Sequence, residues 1–307
     1  MTRLITWRVF QAAVVIWAVG SIVFLLSRVA GDPTELMINE YYQDQQAEAD
    51  YIRAKLGLDK PLYQQYWLFV RDLAQGDLGV SYRRGVPVNQ LIRERLPSTL
   101  QLTGVVFVFV VVVGIALGVA SATSRGTLYE PLLKMFAVIG QAVPNFWAGI
   151  VGIWIFAVIL GWFPVAGKGG PQHYVLPVLV LGTSALAGMM RLVRASMLDS
   201  LNSEYIKLAQ AKGVSRFKVV WKHALRNSIT VALSYAGLLI AGLATGAIIT
   251  ETVFAWPGIG SLAIDSFRSR DFPVIQGVVI FFTIIYVGVN LAVDVLYIYV
   301  DPRIRYR

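Results

Sequence analysis

Glu204-Tyr-Ile-Lys-Leu-Ala-Gln-Ala-Lys-Gly213-Val-Ser-Arg-Phe-Lys-Val-Val-Trp-Lys-His-Ala-Leu-Arg-Asn227 is a basic, amphipathic stretch set between two long apolar runs. A chain embedded in a membrane has little reason to hold such a loop unless something on that side binds it. The pattern predicts two short helices and a break. Ser203 is placed to cap the first helix, whose apolar positions Tyr205, Leu208 and Ala209 follow i, i+3, i+4 spacing. Gly213 is suited to the left-handed position that ends it. Ser215 is placed to cap the second helix, with Phe217, Val220, Trp221 and Ala224 on one face.

Outward from this loop, the chain is apolar. It has 307 residues and is 56% hydrophobic, with a mean hydropathy of +0.62, which excludes an ordinary soluble domain. Uncharged windows cover 9–27, 96–124, 135–167, 169–190, 227–250 and 272–293, lengths of 19, 29, 33, 22, 24 and 22 residues. A spanning helix needs about 20. The fold expected is therefore an all-α integral membrane protein with six transmembrane helices. The first window follows Arg3 and Arg8 as a signal peptide would, but its apolar run is longer than such a region and no A-x-A site follows, so it reads as an uncleaved span. Cysteine is absent, which excludes a disulfide framework and a thiolate metal site or nucleophile.

The net charge of +9 is explained by topology rather than by nucleic acid. Arg191, Arg194, Lys207, Lys212, Arg216, Lys218, Lys222 and Arg226 crowd the loop at 191–228 against Asp199 and Glu204, and the tail adds Arg303, Arg305 and Arg307. The short loops on the opposite face hold only Lys168, Arg268 and Arg270. The positive-inside rule then places both termini and the 199–227 loop in the cytoplasm, with 31–97 and 251–273 external. The expected organisation is an N-terminal region with the first span (1–30), an external loop (31–97), and a core of five helices (98–307). Within 31–97, Ala49 to Leu56 and the run from Leu62 to Val70 read as helices. Gly76-Asp-Leu-Gly79 and Arg84-Gly-Val-Pro87 read as turns.

Gln141, Pro144 and Asn145 sit near the middle of the third span, where the proline predicts a kink or short unwinding. Irregular backbone at membrane depth is tolerated only where neighbouring helices or a cavity satisfy it. These three residues are candidates to line a pathway, and a packing kink is the alternative. Gly237, Gly242, Ala244 and Gly246 in the fifth span suggest close helix packing.

Motifs for intrinsic energy coupling are missing. None of the eight lysines is followed by Ser or Thr, so there is no phosphate-binding loop of the G-x-x-x-x-G-K-[ST] type. The two histidines, His173 and His223, fall on opposite sides of the membrane and cannot share a metal. The spans lack the mid-membrane ionisable residues typical of ion-coupled carriers, and Asp294, near the inner end of its span, reads as an interfacial group rather than a proton relay. The chain reads as a pathway without its own energy source, with no catalytic, cofactor or metal site.

Ala209-Gln-Ala-Lys-Gly213 followed by His223-Ala-Leu-Arg-Asn227 resembles the cytoplasmic E-A-A-x3-G-x9-I-x-L-P loop of binding-protein-dependent ABC importer permeases. Ala209, Gly213 and Leu225 match that pattern. Lys207, Leu208, His223 and Arg226 depart from it, in ways similar to the peptide-transport branch. Gly31-Asp-Pro33, Leu56-Gly-Leu-Asp-Lys-Pro61, Gly76-Asp-Leu-Gly79, Leu96-Pro-Ser-Thr99, the stretch from Thr250 to Gly260, Arg270-Asp-Phe-Pro-Val-Ile-Gln276, Asn290 to Asp294 and Asp301-Pro-Arg303 are similar, in order and spacing, to the dipeptide/oligopeptide (and nickel) permeases. The B-type inner-membrane subunit, with its long external loop after the first span, is the nearest pattern.

This resemblance implies a type I ABC importer permease fold and a heteromeric complex in the cytoplasmic (inner) membrane of a prokaryote. The partners implied are a second homologous permease, two ATPase subunits that bind ATP and Mg, and an external solute-binding protein. The coupling helix would lie between the fourth and fifth spans. Glu204, Tyr205, Leu208, Ala209 and Ala211 would meet an ATPase subunit, together with Lys212, Gly213, Phe217, His223 and Leu225. A lipid-binding amphipathic segment is the bottom-up rival for that loop. Phe254 and Trp256 are candidates for external docking, with anchoring at the membrane interface as the alternative. The substrate class implied is di- or oligopeptides. Nickel or its chelates, glutathione and oligosaccharides are alternatives, and a self-contained channel or carrier is the remote one.

Overall fold

A computed structural model describes residues 2–29, 50, 53–54 and 57–300, with the side chains of 293–300 and a few others excluded. Gly31-Asp-Pro33, most of the expected 49–56 helix, Asp301-Pro-Arg303 and the side chain of Asp294 lie outside the described residues. The described chain is helical almost throughout, in two compact units: Met1–Pro97 with Gly258–Arg307, and Ser98–Pro257.

In the first unit, α1 (Thr2–Val29) lies against α10 (Phe272–Val300), and Gln276 donates a hydrogen bond to Ser27 Oγ. Helix α2 (Leu62–Ala74) begins after Pro61 and stops at Gly76, whose φ of +78° suits glycine. Its Tyr66 and Phe69 pack on Phe24 of α1. The turns expected around Gly76–Gly79 and Arg84–Pro87 are present, with Gly79 and Gly85 also at positive φ. They are tied to the start of α10 by Asp271, which accepts hydrogen bonds from Ser81 Oγ and the Tyr82 N–H. Burial pushes the Tyr82 phenol up, against the opposing pull of the Arg28 guanidinium beside it. Helix α9 (Ile259–Arg268) buries Ile259 and Leu262 with Val88, Ile92 and Val274.

Helix α3 (Val88–Thr123) is longer than its uncharged window. It continues from the polar 88–95 stretch, where Arg93-Glu94-Arg95 stands, into the apolar run, with Pro97 inside the helix.

The centre of the second unit is α6 (Gln172–Leu201), which buries Leu181, Leu186, Met189, Met190, Val193 and Met197. α3 approaches it through Gly114 and Gly118: a β-carbon on Gly114 would stand 2.6 Å from Met189 Cγ, and one on Gly118 would stand 2.6 Å from Val193 Cβ. Close packing of small residues is also expected in the fifth span, from Gly237, Gly242, Ala244 and Gly246. There, in α8 (Leu225–Val253), a side chain on Gly242 would meet open space, and the side chains of 244–246 lie outside the described residues. A glycine permits close approach only if its face is turned to a neighbour, and Gly242 does not face one within this chain.

The apolar run expected as the third span is broken as Pro144 predicts. α4 (Tyr129–Ala142) and α5 (Asn145–Gly152), which runs on through π-helical turns Ile153–Ile159, meet at 105°. Val143, the residue before the proline, is extended at φ −83°, ψ 122°, as steric clash with the proline ring requires. By length and apolar composition, four described helices can cross a membrane, or five with the bent pair as one span.

Candidate coupling loop and broken span

Helix α7 (Glu204–Ala211) opens the loop. Ser203 takes the extended capping conformation, but its hydroxyl turns back to the Ser200 carbonyl and leaves the first N–H groups of α7 without a side-chain cap. The end of α7 is built as expected. Gly213 lies at φ +78°, its N–H donates to the Gln210 carbonyl (2.9 Å), and the Val214 N–H donates to the Ala209 carbonyl (3.1 Å). This is the paired-bond termination that needs a left-handed residue. No atom lies within 4 Å of a β-carbon placed on Gly213, so its requirement for glycine is conformational and not one of space.

The residue that anchors α7 is Ile206, fully buried in the core cluster that also holds Met197, Val219 and Ala224. The face expected from spacing, Tyr205, Leu208 and Ala209, is the outward one: Tyr205 and Leu208 are exposed. Beyond Ser215 comes one α-helical turn, Arg216–Lys218, then π-helical turns Val219–Ala224 that continue without a break into α8. The second predicted face is accordingly split. Val220 and Ala224 are buried, while Phe217 is 72% exposed and Trp221 46% exposed, their ring centroids 6.3 Å apart. The cause is the wider π turn, which shifts the register that i+3 and i+4 spacing assumes.

The loop thus presents Tyr205, Leu208, Phe217 and Trp221 to the outside, with Ala211 and Lys212 at its exposed break. His223 is half-buried and Leu225 packs against the core. Glu204 pairs with Lys207 at 2.7 Å on the open surface, which adds little stability. Asn227 Nδ2 donates to the Tyr205 hydroxyl at 2.7 Å and bridges the two arms of the loop. Lys212, Arg216, Lys218, Lys222 and Arg226, all exposed, alternate along the chain with the apolar residues of the loop. An exposed apolar cluster in a basic frame marks an interaction surface, for a protein or for a membrane.

At the broken span, Asn145 starts α5 and lines a cavity of about 410 Å³ with Phe136, Ile139, Gly140, Ala148 and Thr183. Gln141 is exposed, near Gly188 of α6, and Pro144 supplies the carbonyl that accepts the Ala148 N–H at 3.0 Å. Of the three pathway candidates, only Asn145 lines the cavity.

Phe254 and Trp256 require a correction. Both are buried, at 2% and 0% exposure, so neither side chain is available to an external partner. Ala255, at φ +46°, turns the chain back on itself. Trp256 Nε1 then donates to the Ser98 carbonyl at 2.9 Å, its ring meets Tyr174 edge-on at 4.7 Å, and the Lys168 ammonium lies 5.9 Å above it. Glu251 is buried one turn earlier and accepts a hydrogen bond from Thr99 Oγ1 at 2.7 Å. In the sequence, Glu251 closes the uncharged window 227–250 and belongs to the Thr250–Gly260 stretch that carries the family resemblance. Its place one helical turn from a tryptophan turn was the available signal.

At the opposite end of this unit, Glu130 accepts from Lys134 and Arg194 and from the Gly126 N–H. The Lys134 hydrogen bond, followed by that from Gly126, holds its carboxyl down at about 2.

Comparison with known proteins agrees with this architecture. Residues 114–306 match the family described as binding-protein-dependent transport system inner membrane component, and residues 1–103 match its N-terminal family. The chain is 41% identical over 293 residues to the glutathione transport system permease protein GsiC of Escherichia coli O6:H1, covering 95% of each. It is 36% identical over 310 residues to the dipeptide transport system permease protein DppB of Alkalihalophilus pseudofirmus, covering 92% of each. In fold it is similar to a chain of the MetNI methionine ABC transporter, with a TM-score of 0.59 at 19% identity, over 69% of this chain and 97% of that one. The chain therefore belongs to the binding-protein-dependent transport system inner membrane component family and is a multi-pass permease subunit of an ABC importer.

Proposed function

We propose that this permease forms half of a translocation pathway for di- or oligopeptides, with six spans, both termini cytoplasmic, and a second related permease as the other half. Two ATPase subunits hydrolyse ATP with Mg, and one of them docks on the Glu204–Leu225 loop. An external solute-binding protein delivers the peptide. This chain converts nucleotide-driven movement into a change of access and performs no catalysis itself. The break at Pro144, with Asn145 on its cavity, belongs to the pathway wall.

The observation that carries this reading is the construction of the loop. Its buried anchor, Ile206, fixes it to the core, while Tyr205, Leu208, Phe217 and Trp221 face outward around a glycine-dependent break. A lipid-facing amphipathic helix needs one continuous apolar face, and this loop instead offers a bent, two-armed surface. Dipeptide and glutathione transport are the functions named for the relatives, and both substrates are short peptides.

The test is Gly213→Val in the purified complex. A residue with a β-carbon in the left-handed region is disfavoured by roughly 1–2 kcal/mol, and a β-branched one by more. Loss of ATPase retention, or of transport coupled to hydrolysis, is expected without loss of the membrane fold, whereas Gly213→Asn, which tolerates that backbone, retains both. Normal uptake and stimulation in Gly213→Val would remove the loop from the coupling role. Competition between a labelled dipeptide and glutathione for uptake then decides between the two substrates.

A further inference from the structure

The first unit carries a groove of about 620 Å³ that the transport reading does not use. Its walls are Val23 and Leu26 of α1 and Ile275 and Val279 of α10, and its mouth carries Arg268 and Arg270. The uncharged run of α10 begins at Phe272, directly after this mouth. The walls therefore lie at the depth of hydrocarbon and the two guanidiniums at the boundary with water. The α1 side is open: only 11% of its spanning window is buried.

The charge at the mouth is arranged. Arg268 and Arg270 are exposed, and among the described residues neither has an ion-pair partner. Asp271, the adjacent carboxylate, is turned inward and buried on Ser81 and Tyr82. Asp265, one turn before Arg268, is exposed and does not line the groove. Arg270 is held at φ +52°, a conformation unfavourable for a residue with a side chain. It is kept there by hydrogen bonds from the Asp271 N–H to the Ser266 carbonyl (2.9 Å) and from the Phe272 N–H to the Arg270 carbonyl (3.0 Å). This turn sends the acid in and the base out.

We propose that this groove binds a membrane phospholipid with an anionic headgroup, its acyl chain between α1 and α10 and its phosphate on Arg268 and Arg270. A small soluble anion would need the arginines but not the apolar walls, and a neutral lipid would need the walls but not the arginines. The combination at one membrane boundary fits an amphiphile with negative charge.

The test is native mass spectrometry of the whole purified importer, supplied with equal phosphatidylglycerol and phosphatidylcholine. The wild type is expected to retain phosphatidylglycerol preferentially. Arg268→Gln with Arg270→Asn, the second chosen because Asn tolerates positive φ, is expected to reduce that preference roughly tenfold or more. Leu26→Trp, which fills the groove, is expected to lower retention of both lipids. Absence of any preference in the wild type, or an unchanged preference in the double arginine variant, would overturn the proposal. So would a photo-crosslinker at position 26 that captures the second permease subunit instead of lipid, since the groove would then be a subunit seam.

Discussion

The Trp256 indole is fully buried, with its N–H on the Ser98 carbonyl and its ring edge-on to Tyr174. The sequence shows an aromatic residue in a Pro-Gly turn next to a span, a pattern that fits a docking face or an anchor at the membrane interface. What decides is the backward turn at Ala255, which no local periodicity encodes. Trp256→Ala is therefore expected to destabilise the membrane domain by about 3–5 kcal/mol, read as lower folded yield and melting temperature. Complexes that do assemble should bind the solute-binding protein with unchanged affinity, and a selective loss of that affinity would restore the docking role. Glu130 gives a second prediction at this scale. Its carboxyl is held at about 2 against an ordinary 4.5, so its stabilising effect is complete above the ordinary value and fades as pH falls from there toward 2. Glu130→Gln should lower the melting temperature at pH 7 and by a similar amount at pH 5, with the difference from wild type shrinking at pH 3. The spacing of Glu130 and Lys134 was legible in the sequence, but the arrival of Arg194 from α6 was not.

Among elements, the close approach of α3 and α6 is the feature most sensitive to a single methyl group. Gly114-Ile-Ala-Leu-Gly118 places two glycines four residues apart on one face of α3, a spacing known to favour close packing in membranes. Gly118→Leu should prevent that approach and sharply reduce folded yield, because Val193 Cβ and the Met190 carbonyl have little room to yield. Gly104→Leu, on the same helix but with open space around its β-carbon, should be tolerated. Equal damage from both would mean that helix propensity, not packing, controls the effect. The break at Pro144 was legible because proline acts on its own backbone. The buried side of the coupling loop was not, because the Val219–Ala224 π turns alter the register that face-reading assumes.

For the molecule as a whole, the uncharged windows located the apolar helices well, since excluding charge from hydrocarbon is the strongest constraint on such a chain. They located the helix ends less well: α3 starts at Val88, inside a stretch polar enough to read as loop. The proposed orientation is open to direct test in this cysteine-free chain. A cysteine introduced at position 210 should react with an impermeant reagent only from the cytoplasmic side, and one at position 63 only from outside. Reaction of position 210 in intact cells would invert the topology. One consequence remains in the unbroken path from Arg216 to Val253. The α-helical turn, the π turns and α8 run on without interruption, roughly 55 Å of hydrogen-bonded rod at 1.5 Å per residue. In the proposed coupling role such a rod is a crankshaft: torque on the Phe217–Trp221 end has no hinge in which to dissipate before the far bearing, where Thr99 grips Glu251 and, just past the rod, Ser98 grips Trp256.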